Sequence, residues 1–449
     1  MTRMGATQVL AWPIGSAGTP LDCHSGNKVA ESTQIMARQL IVCIDGTNNR
    51  FCDKPTNVLR VFRSLPKNSD TVLTYYDQGV GTFGLSETLF EWQKVPSRIA
   101  GLAFGWGIKR NVLNAYRFLM ENYQKDDQIF IYGFSRGSYA ARVLAAMIHT
   151  LGLLPTHQVQ QLDFAWSLLT TRTRSEKGAP DPSLSRAGSY IWWRLTARKR
   201  PNFPLMTQFK KTFSQDIDVH FLGLFDTVSS VGWVYDPLVV PYTANNPGVR
   251  TVRHGVSIDE RRCFFRQNLW SVIKADDLKQ VWFAGVHCDV GGGYSLEESQ
   301  LALIALRWMI GESLEAGLNI DVAACRGELY PPSCPVPDPL AQAHESLSRL
   351  WMIAEWVPRL RWDSKTHTRT LKFGSMPPFG KPRWRMIPLP ELDKKTKLHN
   401  SVKKRLGEGL TSNPSRVSQH EYAPENLQNF DPQLIEYVED SPKLDLYHL

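Results

Sequence analysis

The chain has 449 residues, 42% of them hydrophobic and 21% charged, and a net charge of +9. That length and balance exclude a collagen-like, coiled-coil or wholly disordered protein and leave room for a long α/β enzyme or for two or three domains. No stretch of about 18 or more apolar residues occurs, so a spanning helix is not expected.

The seven cysteines (23, 43, 52, 263, 288, 325 and 334) are scattered, and none forms a C-x-x-C pair. Zinc and redox motifs therefore lack support, no metal or cofactor is expected, and a reducing compartment is. Residues 1–36 show no periodicity and no signal-peptide pattern, and they are expected to be a disordered leader. The chain is read as cytoplasmic, or as exported without a cleavable signal.

The first strong element is Leu40-Ile41-Val42-Cys43-Ile44, a short apolar run that stops at the turn cluster Asp45-Gly46-Thr47-Asn48-Asn49. Helical spacing of Val58, Leu59, Phe62 and Leu65 predicts a helix over 56–65. A strand follows at 72–76, a helix at 107–123, a strand at 128–132 and a helix from Ser138 to about Leu151. Further buried strands are read at 221–225 and 281–286. This alternation predicts an α/β fold with a mostly parallel sheet and helices on both faces.

The catalytic domain is expected to span 37–318. Residues 155–216 read as a cap or lid insertion, and 237–279 as a second insertion. Beyond 319 the chain is Pro-rich and basic, a C-terminal extension without an assignable fold. From Arg359 to Arg405 it carries 14 Lys/Arg against 3 Asp/Glu. Such an excess suits peripheral contact with an anionic membrane, or is simply a solvated basic face. It holds no recognisable nucleic-acid module, so nucleic acid is not an expected partner.

The chemistry centres on Gly133-Phe134-Ser135-Arg136-Gly137. A serine hydroxyl becomes nucleophilic only when a neighbouring base takes its proton. A Gly-x-Ser-x-Gly turn between a strand and a helix exposes the serine at the sheet edge, and here Ile129–Tyr132 precedes it and Tyr139–Met147 follows. Ser135 is the candidate nucleophile. The N–H of Arg136 is the first candidate oxyanion donor, and Gly46 or Thr47 the second. Acid and base should follow in that order, which suggests Asp226 after 221–225 and His287 after 281–286. Asp289 is a rival acid, His399 and His254 are rival bases, and Asp45 ends the first strand. Gly291-Gly292-Gly293 lacks the lysine of a phosphate loop and reads as a turn shaping the pocket.

Seven blocks occur in a familiar order: LIVCIDGTNN (40–49), NVLR (57–60), YDQGVGT (76–82), IYGFSRGSYAAR (131–142), FDTV (225–228), RH with SIDERR (253–262), and GVHCDVGGGY (285–294). Over roughly 39–317 the chain resembles the catalytic domain of type VI secretion lipase effectors and their bacterial and fungal relatives. The resemblance implies an α/β-hydrolase fold, a Ser-Asp-His triad carried by Ser135, Asp226 and His287, and phospholipase activity on membranes. A lipid or other ester is thus the expected substrate. A soluble carboxylesterase or thioesterase and a non-catalytic binding protein of the same fold are the alternatives.

Overall fold

The computed structural model describes residues 37–46, 54–79, 97–174, 199–228, 240–262, 265–271, 277–332, 336–347, 359–363, 368–372, 385–390, 394–408, 422–428 and 430–449. β1 (Gln39–Ile44) is buried along its whole length. Leu40, Val42 and Ile44 enter one core, and Ile41 and Cys43 enter the other. Cover on both faces is why this strand reads as an unbroken apolar run rather than an alternation.

α1 (Asn57–Arg63) begins where the Thr56 hydroxyl accepts from the Leu59 N–H at 3.2 Å. β2 (Val72–Asp77), α2 (Ser97–Asn122), β3 (Gln128–Phe134) and α3 (Arg136–Leu151) follow. After them come α4 (Leu162–Thr170), β4 (Arg172–Arg174), β5 (Lys199–Pro201), α5 (Phe203–Phe213) and β6 (Val219–Phe225). β7 (Val249–Ser257), β8 (Asp277–Phe283), α6 (His287–Gly291), α7 (Gln300–Glu315) and α8 (Val322–Leu329) complete the next stretch. The C-terminal part contributes β9 (Arg359–Asp363), β10 (Thr368–Lys372), β11 (Thr396–His399), α9 (Asn400–Glu408) and β12 (Ile435–Val438).

The main sheet has eight strands in the order β12-β11-β8-β7-β6-β3-β1-β2, and every neighbouring pair is parallel. β4–β5 and β9–β10 are separate antiparallel pairs. α2 and α3 cover one face of the sheet, and α1, α7 and α8 the other. The chain runs outward from β1 to β2, then crosses to β3 on the opposite side. Strand order therefore reverses between β1 and β3, and a crevice opens at the C-terminal ends of the strands at such a reversal. Ser135 follows β3 directly.

Three readings of the sequence need correction. The span 237–279 is not simply an insertion, because β7 within it is an interior strand of the sheet. Its pattern is broken by Arg253 and His254, whose polar groups are satisfied internally. Arg253 pairs with Glu312 and Asp277, while His254 bonds Gln280 and the Thr227 N–H. The strand expected at 281–286 ends at Phe283, and His287 opens α6 instead of following the strand directly.

Nor does a boundary at 318/319 divide the fold, since β11 and β12 extend the same sheet. Leu398, Val402 and Ile387 share a core cluster with Val256, Ile258 and Trp282. These late strands are four residues each, too short and too polar to stand out from the basic sequence around them.

The expected leader (1–36) and most of the polar part of the 155–216 insertion lie outside the described residues. Within that insertion, α5 packs against α3, and Lys210 Nζ donates to the His149 carbonyl at 2.9 Å. α3 runs away from Ser135, so this contact sits toward the N-terminal edge of the sheet. Among the described residues no helix is long and apolar enough to cross a membrane.

Candidate active site

Ser135 joins β3 to α3 with φ 59° and ψ −119°, a conformation that costs an L-residue of order 1–3 kcal/mol. The surroundings hold it there. The Ser135 N–H donates to Phe225 O at 3.0 Å, and Ser138 Oγ donates to Gly133 O at 2.6 Å. The two motif glycines are required by close backbone approach. A Cβ on Gly137 would lie 2.1 Å from Ile44 O, and one on Gly133 would lie 2.6 Å from Ser138 Cα. Ser135 stands at the N-cap of α3, yet its hydroxyl makes no cap bond and meets His287 Nε2 at 2.8 Å.

His287 is the first residue of α6. Its Nδ1 lies 2.5 Å from Asp226 Oδ2. The imidazole is flanked by the rings of Phe134 (4.7 Å between centroids) and Phe265 (4.9 Å, edge-on). Its backbone N–H donates to Glu260 Oε2 at 3.3 Å, and Glu260 is itself paired with Arg262. Burial drives the His287 pKa below the usual imidazole value, although the neighbouring Asp226 pulls it up.

Asp226 follows β6 with φ 40° and is fully buried. Oδ1 accepts from the Ser257 N–H (2.9 Å) and from Arg385 Nη1 (2.5 Å), and Oδ2 also accepts from Arg385 Nη2 (3.0 Å). Burial alone would raise this carboxyl. The Arg385 guanidinium and the His287 imidazole overcome that and hold it well below the usual carboxylate range.

The other candidates point elsewhere. Asp289 accepts from the Val286 N–H (2.9 Å) and faces His344 Nδ1 (2.6 Å), so it caps α6 and does not bond His287. His399 bonds Ser401 and stacks on Phe283. His254 is enclosed, with burial chiefly pushing its pKa down to about 3, so it stays neutral between Gln280 and Thr227.

Asp45 accepts from Thr56 Oγ1 (2.5 Å) and Tyr76 OH (2.7 Å), tying β1, α1 and β2 together. The Gly46 N–H, expected as an oxyanion donor, donates to Asp45 Oδ1 at 2.6 Å. Thr47 lies outside the described residues. Arg136 is the first residue of α3, where backbone N–H groups lack intrahelical acceptors. The three-glycine turn packs on the start of α1, with the Gly293 N–H donating to Pro55 O at 3.1 Å. Among the described residues no cluster of metal-binding side chains occurs.

Sequence reasoning missed Arg385, Glu260 and Phe265 as neighbours of the site. Arg385 belongs to the basic run, and nothing in its local sequence distinguishes a buried arginine from the solvated ones around it. Glu260 lay within a recognised block, but strand pairing alone brings it beneath His287.

Comparison with known proteins gives the family of the chain. Residues 38–312 match the model of the T6SS phospholipase effector Tle1-like catalytic domain. An uncharacterised protein of Saccharomyces cerevisiae is 34% identical over 243 residues, 51% of this chain and 32% of that protein. Among solved structures, an uncharacterised Pseudomonas aeruginosa protein shows 21% identity over 64% of this chain and 47% of its own, with a TM-score of 0.33. A Tle1 effector solved bound to the VgrG spike shows 17% identity over 59% of this chain and 53% of its own, with a TM-score of 0.31. The matches thus span from about a third to about half of these relatives' lengths. With its family model covering well over half the sequence, the chain belongs to the Tle1-like phospholipase effector catalytic domain family.

Proposed function

We propose that the chain is a serine hydrolase of phospholipid carboxylic esters that works through an acyl-enzyme. The observation that carries the reading is the continuous relay from Ser135 Oγ to His287 Nε2 (2.8 Å) and from His287 Nδ1 to Asp226 (2.5 Å). In the first half-reaction Ser135 Oγ attacks the acyl carbonyl and its proton passes to His287 Nε2. Asp226 stabilises the imidazolium and fixes its orientation. The oxyanion forms beside the start of α3, where the Arg136 N–H is the donor. As the tetrahedral adduct collapses, His287 protonates the departing alcohol and the acyl group stays on Ser135. Water then attacks with His287 as base, releasing the fatty acid and returning the proton to Ser135.

The low pKa of His287 suits this role, because the base is neutral and ready at neutral pH. Purified protein should release fatty acid from phospholipid vesicles, and Ser135→Ala should release none above background. Equal release by both would overturn the assignment. A panel of soluble short-chain esters and thioesters alongside the vesicles tells a lipase from a small-ester hydrolase.

Membrane contact is proposed for the basic C-terminal stretch. Met386 and Leu389 are 71% and 73% exposed, on the same segment that delivers Arg385 to Asp226. Apolar side chains within a run of excess positive charge suit an anionic bilayer. Met386→Ser with Leu389→Ser should weaken co-sedimentation with phosphatidylglycerol vesicles. Binding indifferent to both the substitutions and the anionic lipid would remove this part.

A further inference from the structure

We propose that Arg385 is a positioning residue for the reaction, a buried fork that holds the Asp226 carboxylate with Oδ2 turned to His287. The proposal rests on the Ser135–His287–Asp226 reading above and extends it to a residue outside the region matched by the family model.

The geometry is specific. Arg385 Nη1 and Nη2 reach the two different carboxylate oxygens of Asp226, at 2.5 and 3.0 Å. The guanidinium is satisfied on its other sides as well. Nη1 also donates to Ser257 Oγ (2.7 Å), and Nε and Nη2 donate to Phe265 O (3.1 and 2.5 Å). The arginine is itself anchored, since Asn426 Nδ2 donates to both the Arg385 and the Ile258 carbonyls at 3.0 Å. Such a two-pronged pair fixes the plane of the carboxylate, which a single hydrogen bond does not. Without Arg385, Oδ1 would keep only the Ser257 N–H among these partners. The carboxylate could then turn about its terminal bond, and the 2.5 Å contact to His287 would loosen. Holding Phe265 by its carbonyl, the same guanidinium also steadies the ring that edges the imidazole.

Charge gives a readout that a merely structural pair would lack. His287 is faced by the carboxylates of Asp226 and Glu260 and by the cation of Arg385, while Arg262 is paired with Glu260 and Cys288 is the next residue in the chain. The positive charge of Arg385 acts to lower the His287 pKa. Replacing it with a neutral residue should therefore raise that pKa and move the acid limb of reactivity to higher pH.

The test measures the rate of labelling of the full chain by a fluorophosphonate probe across pH. Arg385→Gln should label about 10–100-fold more slowly, by analogy with the loss of a hydrogen-bonded partner behind a metal-ligating side chain, with its acid limb displaced upward. Arg385→Lys keeps the charge but loses the fork, so it should be slowed while its acid limb stays at the wild-type position. It also serves if the glutamine variant fails to fold. On an Asp226→Asn background the Arg385→Gln change should add little, because Arg385 acts through Asp226. Wild-type rates in both Arg385 variants, or a full further loss on the Asp226→Asn background, would overturn the proposal. Ser135→Ala separates the two levels: labelling that survives there refutes the triad reading, whereas its loss with unaltered Arg385 variants refutes only the role of Arg385.

Discussion

Ser135 and Asp226 follow directly on Phe134 and Phe225, which are register partners on the adjacent strands β3 and β6, and both residues turn into positive φ (59° and 40°). Two non-glycine residues side by side in this region store strain at the C-terminal edge of the sheet. The strained backbone aims both side chains at the one imidazole of His287.

Strain of this kind predicts a trade between stability and reactivity. Ser135→Gly should gain about 1 kcal/mol over Ser135→Ala, because glycine adopts the turn without a Cβ clash. Both variants should be unreactive. Urea unfolding of the two proteins checks this, and an alanine variant as stable as the glycine variant would show that the turn is unstrained.

In the proposed mechanism Asp226 and Asp289 are the two candidates for the triad acid, and their environments separate them. Asp226→Asn should lower reactivity by roughly 10⁴-fold, the loss expected when the imidazole loses its orienting carboxylate. Asp289→Asn should stay within about tenfold of wild type, since Asp289 only supports the turn at the start of α6. Its cost should appear as about 1 kcal/mol of stability from the weakened cap. Probe labelling rates with circular dichroism as a fold control distinguish the two. A dead Asp289→Asn beside a reactive Asp226→Asn would exchange the assignments.

Acid should be tolerated further than an unperturbed histidine allows. In the proposed mechanism His287 takes the serine proton only when neutral, and burial holds its pKa below the usual value. The neutral form therefore persists to lower pH, and the pH of half-maximal labelling rate should fall below the ordinary imidazole value of 6.5. A half-maximal rate above that value would mean that the carboxylates facing the ring outweigh its burial.

Much of the α/β core was legible in the sequence because burial on both sheet faces leaves a plain trace. The run 40–44 and the strand before Ser135 declare themselves by composition. The helices at 57–63 and 136–151 declare themselves by spacing and by the serine turn. β7 was hidden because Arg253 and His254 are polar, and only their partners Glu312, Asp277 and Gln280 make them admissible in a sheet interior.

β11 and β12 were hidden by their brevity. Arg385 was hidden for a deeper reason, since a guanidinium that neutralises a buried carboxylate looks, in sequence, like one that faces water. Gly46 is a different case. Its place after β1 suited an oxyanion donor, but the preceding Asp45 side chain takes its N–H.

In the proposed mechanism Ser135 is the group acylated. Treating the full chain with a fluorophosphonate probe, then measuring intact mass and mapping the labelled peptide, tests this. A single adduct is expected on the peptide carrying Gly133–Gly137, and none on Ser135→Ala. An adduct that persists in Ser135→Ala, or one that maps to another residue, would contradict it.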